Sequence, residues 1–129
     1  MTIEFKGENI NIDDSWSDFF IQQKEDIKSI ENQIGHNFTP NSANIFKVFS
    51  LPLSKVKSVV IGQDPYPQID TATGRSFEIN SHTWEAVNPS LQNILIAIYF
   101  QQESTFIDYN DIIERIENEQ FSIKPPSTY

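Results

Sequence analysis

The chain has 129 residues, 38% of them hydrophobic, with ten Phe, no Cys and a net charge of −9. That length and composition bound it to one domain with enough apolar side chains for a core. They exclude disulfides, thiolate catalysis and thiolate metal sites, and no apolar run approaches the length of a membrane span. Met1 is followed by acidic and polar residues rather than a signal peptide, which makes the cytoplasm the default location. His36 and His82 lie far apart and read as surface residues rather than zinc ligands.

The acidity is uneven. Residues 1–35 carry eight acids and three bases, and residues 108–129 carry five and two. Residues 36–107 carry five acids and four bases. The ends argue against a generic nucleic-acid binder, which presents a basic face, whereas the middle can still offer Lys55, Lys57 and Arg75 to phosphates. Each of those three also reads as ordinary solvated charge.

Residues 2–12 alternate weakly around Ile3, Phe5, Ile10 and Ile12, the pattern of an extended arm or small hairpin. Asp13, Asp14 and Ser15 are N-cap candidates. Trp16, Phe19, Phe20, Ile27, Ile30 and Ile34 then recur at helical spacing up to Gly35, as one helix or as two with a break. This aromatic stripe reads as core. Pro40 to Ser50 predicts a short helix capped at Asn41 or Ser42, and Leu51 to Ser54 a loop.

Val56 to Ile61 is a short β-branched run, predicted as a strand buried on both faces. Gly62 ends it and Gln63-Asp64-Pro65-Tyr66-Pro67 follows. Asp64 and Tyr66 both precede prolines, which biases this loop toward an extended, stiff backbone. Polar groups at the carboxyl end of a strand in an open α/β sheet stand where ligands bind, so Asp64 is a candidate pre-positioned carboxylate. Gly, Asp and Pro also make plain turns, and from this stretch alone both readings stand. Gln68 to Gly74 and Ser81 to Pro89 read as loops around a brief extended piece, Ser76 to Ile79. Trp84 is either a core plug or an exposed ring facing a ligand. Ser90 is the predicted N-cap of a helix whose Leu91, Ile94 to Ile96 and Ile98 to Phe100 are apolar nearly all round, hence buried. Asp108 is the predicted cap of a last helix with Tyr109, Ile112, Ile113 and Ile116 on one face and a solvated acidic face opposite.

Gly62-Gln63-Asp64-Pro65-Tyr66 resembles the water-activating motif of the uracil-DNA glycosylase family. The approach to it, Pro40 with Asn44 to Phe49, then Pro52 and Val56 to Ile61, resembles that family as well. So do Ala72-Thr73-Gly74-Arg75-Ser76-Phe77 and Asn88-Pro89-Ser90-Leu91-Gln92-Asn93-Ile94, in order and over about Pro40 to Tyr99. The resemblance implies hydrolysis of the N-glycosidic bond of a uracil flipped out of DNA, in base excision repair. Asp64 would orient or activate the water and stabilise the oxocarbenium-like sugar, and Gln63 would contact the base. Tyr66 would exclude a thymine methyl, Phe77 would stack on the flipped base, and Ser90 would contact a DNA phosphate. Asp64, Tyr66 and Phe77 are then expected on one concave surface. The expected partner is uracil-containing DNA, with no cofactor and no membrane.

Two departures stand out. Pro67 and Thr73 occupy places where many family members have His. A later Asn-bearing strand and a later His-Pro-Ser-Pro loop of the family have no match, although Lys124 to Tyr129 resembles the lead-in to that strand. The expected fold is therefore the N-terminal part of a three-layer α/β/α sandwich around a parallel sheet, within one incomplete domain over residues 1–129. A lone central strand needs neighbours, so self-association or a sheet-completing partner is expected, and the chain alone is expected to be inactive or nearly so. The alternative is a non-catalytic binding or regulatory protein built on the same half-fold, its acidity suited to mimicking DNA.

Overall fold

The computed structural model describes residues 1–68, 70–81 and 83–123. His82 and the segment Lys124 to Tyr129 lie outside the described residues. The chain divides into two compact units, Met1–Ser76 and Phe77–Tyr129.

The first unit opens with a small hairpin, one of the two forms that the alternation allows. Strands β1 (Thr2–Phe5) and β2 (Glu8–Asn11) pair antiparallel, with Ile3 opposite Ile10 and Phe5 opposite Glu8. The two-residue turn is Lys6-Gly7, with φ of 51° and 80°. Positive φ at both positions is the type I′ geometry whose twist matches paired strands, and Gly7 adopts it without steric cost. Phe5, Ile10 and Ile12 are buried.

The helical stretch that follows is two helices with a break, α1 (Ser17–Gln22) and α2 (Lys24–Gln33). A 3-10 turn, Asp14–Trp16, precedes α1, and its cap is Asp13, whose carboxylate accepts from the Ser15 backbone and hydroxyl at 3.0 and 2.6 Å. Those two bonds hold the Asp13 carboxyl below its ordinary range. α2 is tied to the hairpin by Lys6, whose ammonium donates to the Ile34 carbonyl at 2.7 Å. Glu31 accepts from the Lys6 backbone N–H, which lowers its pKa.

Pro40 to Ser50 forms two 3-10 turns, Ser42–Asn44 and Lys47–Ser50, and Asn41 caps the first. They deliver Phe46 and Phe49 to the aromatic stripe. Phe5, Trp16, Phe19, Phe20, Phe46 and Phe49 make one cluster with ring centroids 5.0–6.2 Å apart, mostly edge to face. Pairs of this kind contribute about 0.5–1.5 kcal/mol each beyond their buried area. The indole N–H of Trp16 donates to the Leu51 carbonyl at 2.8 Å, which ties the 3-10 region to the start of α1.

The strand expectation for Val56 to Ile61 is corrected. The segment has extended or irregular backbone and no strand partner, and Val59, Val60 and Ile61 are 75%, 62% and 89% exposed. Among the described residues the only sheet is the two-stranded antiparallel one, so the parallel-sheet sandwich is not seen there. The physical reason is pairing. A two-face-buried strand exists only between neighbours that accept its backbone groups and cover its side chains.

In the second unit, α3 (Pro89–Glu103) packs on α4 (Tyr109–Glu117). α3 is capped by Asn88, whose side-chain oxygen accepts from the Leu91 N–H at 3.1 Å. This corrects the assignment of Ser90 as N-cap. Pro89 fits the first helical position, where its missing N–H costs nothing, and the cap falls on the residue before it. α3 ends at Ser104, which adopts the left-handed conformation with φ 56°. Asp108 caps α4 as predicted, accepting from Asp111 N–H at 3.0 Å. Tyr99, Ile112 and Phe121 form the core of this unit, packed by Ile96, Ile98, Ile107, Ile116 and Ile123. The nearly all-apolar α3 is only partly covered: Leu95 and Tyr99 are buried, while Phe100 is exposed and stacked on exposed Phe106 at 4.0 Å. No helix among the described residues is long and apolar enough to cross a membrane.

Tyr109 provides an alkaline probe of this unit. Its hydroxyl donates to the Trp84 carbonyl at 2.6 Å, and burial, helped by the negative charge of Glu85, pushes its pKa from 10.0 up to about 12. The folded state thus holds this proton more tightly than the unfolded state. Its contribution to stability is complete below pH 10 and is lost as pH rises from 10 through about 12. In a spectrophotometric titration of the folded protein, a phenolate phase near pH 12 is expected that Tyr109→Phe removes; a titration unchanged by Tyr109→Phe at that pH would contradict it.

Candidate active site

The candidate residues fall in both units, and each unit positions its own. In the first, Gln63 and Asp64 sit in a bend with exposed side chains. Two hydrogen bonds fix the ends of this loop. Ser76 Oγ accepts from the Gly62 N–H at 3.2 Å, and Thr39 Oγ1 donates to the Tyr66 carbonyl at 3.0 Å. The loop is therefore held at both flanks by groups well removed in sequence, with Gln63 and Asp64 between the two ties.

Tyr66 is half-buried, and its hydroxyl is shielded from solvent without a hydrogen-bond partner among the described residues. A shielded hydroxyl left unpaired costs about 1–3 kcal/mol. The Tyr66 backbone carbonyl is held by Thr39.

Gly74 shows why the segment before Phe77 has its sequence. Its φ is +88°, and a Cβ there would fall 1.9 Å from the Asn44 carbonyl oxygen and 3.1 Å from Lys47 Cβ. The chain can press against the 3-10 turn Ser42–Asn44 only because residue 74 has no side chain. Thr73 beside it is buried. In the second unit Phe77 is half-buried with φ 65°. For a bulky aromatic that is a strained conformation, costing on the order of 1–3 kcal/mol. Ser90 is exposed in the first turn of α3.

Sequence reasoning singled out Asp64, Gln63, Tyr66, Phe77 and Ser90, but not Thr39, Ser76 or Asn44, which hold the loops. Their signal is absent from local pattern because each acts on a residue 14 to 30 positions away. Among the described residues no group of three or more His, Cys, Asp and Glu could hold a metal ion.

The chain is similar in sequence to several proteins that share one name. The chain is 37% identical over 99 residues to a protein of Campylobacter hominis named uracil-DNA glycosylase, a match covering 69% of this chain and 41% of that relative. A uracil-DNA glycosylase of Mycobacteroides abscessus is 39% identical over 64 residues, covering 50% of this chain and 28% of the relative. One of Francisella tularensis subsp. holarctica is 34% identical over 89 residues, covering 62% and 40%. No family model matches the chain, and no solved structure does. The relatives nonetheless agree on one name, and the chain is related to the uracil-DNA glycosylase family, a family of enzymes. It spans about two fifths or less of the length of the curated relatives it matches.

Proposed function

We propose that these 129 residues are part of one uracil-DNA-glycosylase-like domain that releases uracil from DNA, with Asp64 as its catalytic carboxylate. The observation that carries this reading is the ordered set Gly62 to Tyr66, Ala72 to Phe77 and Asn88 to Ile94 in a chain related to several uracil-DNA glycosylases. The chemistry of the residues supports it. Breaking an N-glycosidic bond puts positive charge on the sugar and negative charge on the leaving base. Asp64, carried on a loop tied at both ends, stabilises the sugar and orients or deprotonates the attacking water.

The base must leave the stack before its scissile bond is reachable. Phe77 stacks on the extruded uracil and Gln63 bonds its polar edge. Tyr66 closes the space where thymine carries a methyl, a steric exclusion that can exceed the ~1–3 kcal/mol obtained from merely weaker binding. Ser90, in the first turn of α3, contacts a phosphate through its hydroxyl and backbone N–H. The reading requires Asp64, Tyr66 and Phe77 to face one base, in a three-layer α/β/α fold.

Groups that stabilise the leaving base remain to be supplied, since the Asn strand and His loop expected from the family have no match in this sequence. The test joins this chain to the part of the Campylobacter hominis relative that lies outside the match. The fusion is expected to release uracil from a uracil-containing oligonucleotide, measured as alkali-labile abasic sites, whereas the 129 residues alone release none or nearly none. A well-folded fusion without activity would overturn the reading. The second reading, a non-catalytic DNA-mimicking or regulatory protein, draws on the net charge of −9. It predicts binding to a glycosylase or its partners with no uracil release in either form.

A further inference from the structure

Asp64 stands midway between two hydroxyl ties. Gly62 lies two residues before it and donates its N–H to Ser76 Oγ at 3.2 Å. Tyr66 lies two residues after it and accepts at its carbonyl from Thr39 Oγ1 at 3.0 Å. The two sides differ in intrinsic stiffness. After Asp64 the backbone is restricted covalently: Pro65 fixes its own φ and narrows the choices of Asp64, and Pro67 narrows those of Tyr66. Before Asp64 stand Gln63 and Gly62, without a proline, and glycine has more backbone freedom to lose than any other residue. On that side stiffness has to come from a bond, and Ser76 supplies it. The approach is close. A Cβ at residue 62 would lie 3.3 Å from Ser76 Oγ and 3.7 Å from Ser76 Cβ, so the absent side chain lets backbone and hydroxyl meet.

We infer that Ser76 is a positioning residue for Asp64: by accepting from the Gly62 N–H, its hydroxyl fixes the flexible side of the loop that carries the carboxylate. This rests on the catalytic role proposed for Asp64 above. Ser76 acts through the backbone and not on the substrate. Its contribution therefore belongs to the rate of the chemical step, which depends on where the carboxylate is held, and not to the binding of DNA. The bond is neutral and solvent-exposed, so removing it costs what one ordinary hydrogen bond costs, far less than removing the carboxylate. Thr39 holds a side that its prolines already stiffen, so its hydroxyl contributes less than that of Ser76.

The test has two arms. In the 129-residue chain, Ser76→Ala is expected to speed amide exchange at Gly62 by about three- to tenfold, and Ser76→Thr, which keeps the hydroxyl, to restore the slower exchange. In the fusion described above, Ser76→Ala is expected to lower single-turnover uracil release by about three- to tenfold, with Ser76→Thr again restoring it. Affinity for uracil-containing DNA and the urea midpoint should match the parent's, because Ser76 is exposed and its loss leaves no buried group unpaired. Thr39→Val should lose less rate than Ser76→Ala. Unchanged Gly62 exchange in Ser76→Ala would overturn the inference. So would an active fusion indifferent to Ser76→Ala, an equal loss in Ser76→Thr, a larger loss in Thr39→Val, or a loss that follows a falling urea midpoint. Each of those outcomes leaves the functional reading standing. An inactive parent fusion instead removes that reading, and the positioning role with it, even where Gly62 exchange responds as expected.

Discussion

Asp64→Asn in the fused chain lowers single-turnover uracil release by roughly 10²–10⁴-fold, the range for removing a positioned general base. The substitution keeps size and shape but removes the negative charge that, on the proposed mechanism, stabilises the developing positive charge on the sugar. The Asp64 side chain is exposed, so the variant should fold like its parent. Affinity for uracil-containing DNA should hold or rise slightly, because the carboxylate repels phosphate in the ground state. The loss therefore belongs in the chemical step and not in binding. If the D64N chain retained more than about a tenth of the parent rate, Asp64 would be removed from the catalytic role.

Gly74→Ala is expected to destabilise the fold by about 2–5 kcal/mol. Two costs add. A left-handed backbone with a Cβ costs roughly 1–2 kcal/mol, and forcing a methyl into an occupied space costs about 1–3 kcal/mol. Here the space is occupied by backbone: the Asn44 carbonyl oxygen lies 1.9 Å from the would-be Cβ. Asn44 cannot retreat freely, because its N–H is held by the Asn41 carbonyl at 3.0 Å and by the Asn41 side chain at 3.1 Å. Moving it would break the cap of a 3-10 turn whose neighbours Phe46 and Phe49 sit in the aromatic cluster. Against a typical domain stability of about 5–15 kcal/mol, the urea midpoint should fall by at least about a tenth. An unchanged midpoint would show that the close approach of residues 74 and 44 is not part of the folded state in solution.

The strain at Phe77 belongs with these two cases. A Phe at φ 65° persists only where its surroundings over-determine it, and it stands three residues after Gly74. The segment there is not a regular helix or strand, and Gly74 within it packs against the Asn44 carbonyl.

Much of the local structure was legible because it is decided within a few residues. The hairpin follows from alternation and Lys6-Gly7, the helix starts from Asp13, Asn41 and Asp108, and the α4 face from the spacing of Tyr109, Ile112 and Ile116. The cap of α3 slipped by two residues because a proline at the first helical position shifts the cap ahead of it. The candidate site residues were chosen through motif order, which records chemistry rather than geometry.

What only the tertiary structure decided is whatever depends on partners distant along the chain. Thr39 on Tyr66, Ser76 on Gly62 and Asn44 against Gly74 set the loops, and no window of neighbouring residues encodes them. Val56 to Ile61 makes the same point in reverse. Its composition specifies a strand, yet a strand is a property of a pair, and without a neighbour its backbone groups and its β-branched side chains stay in water.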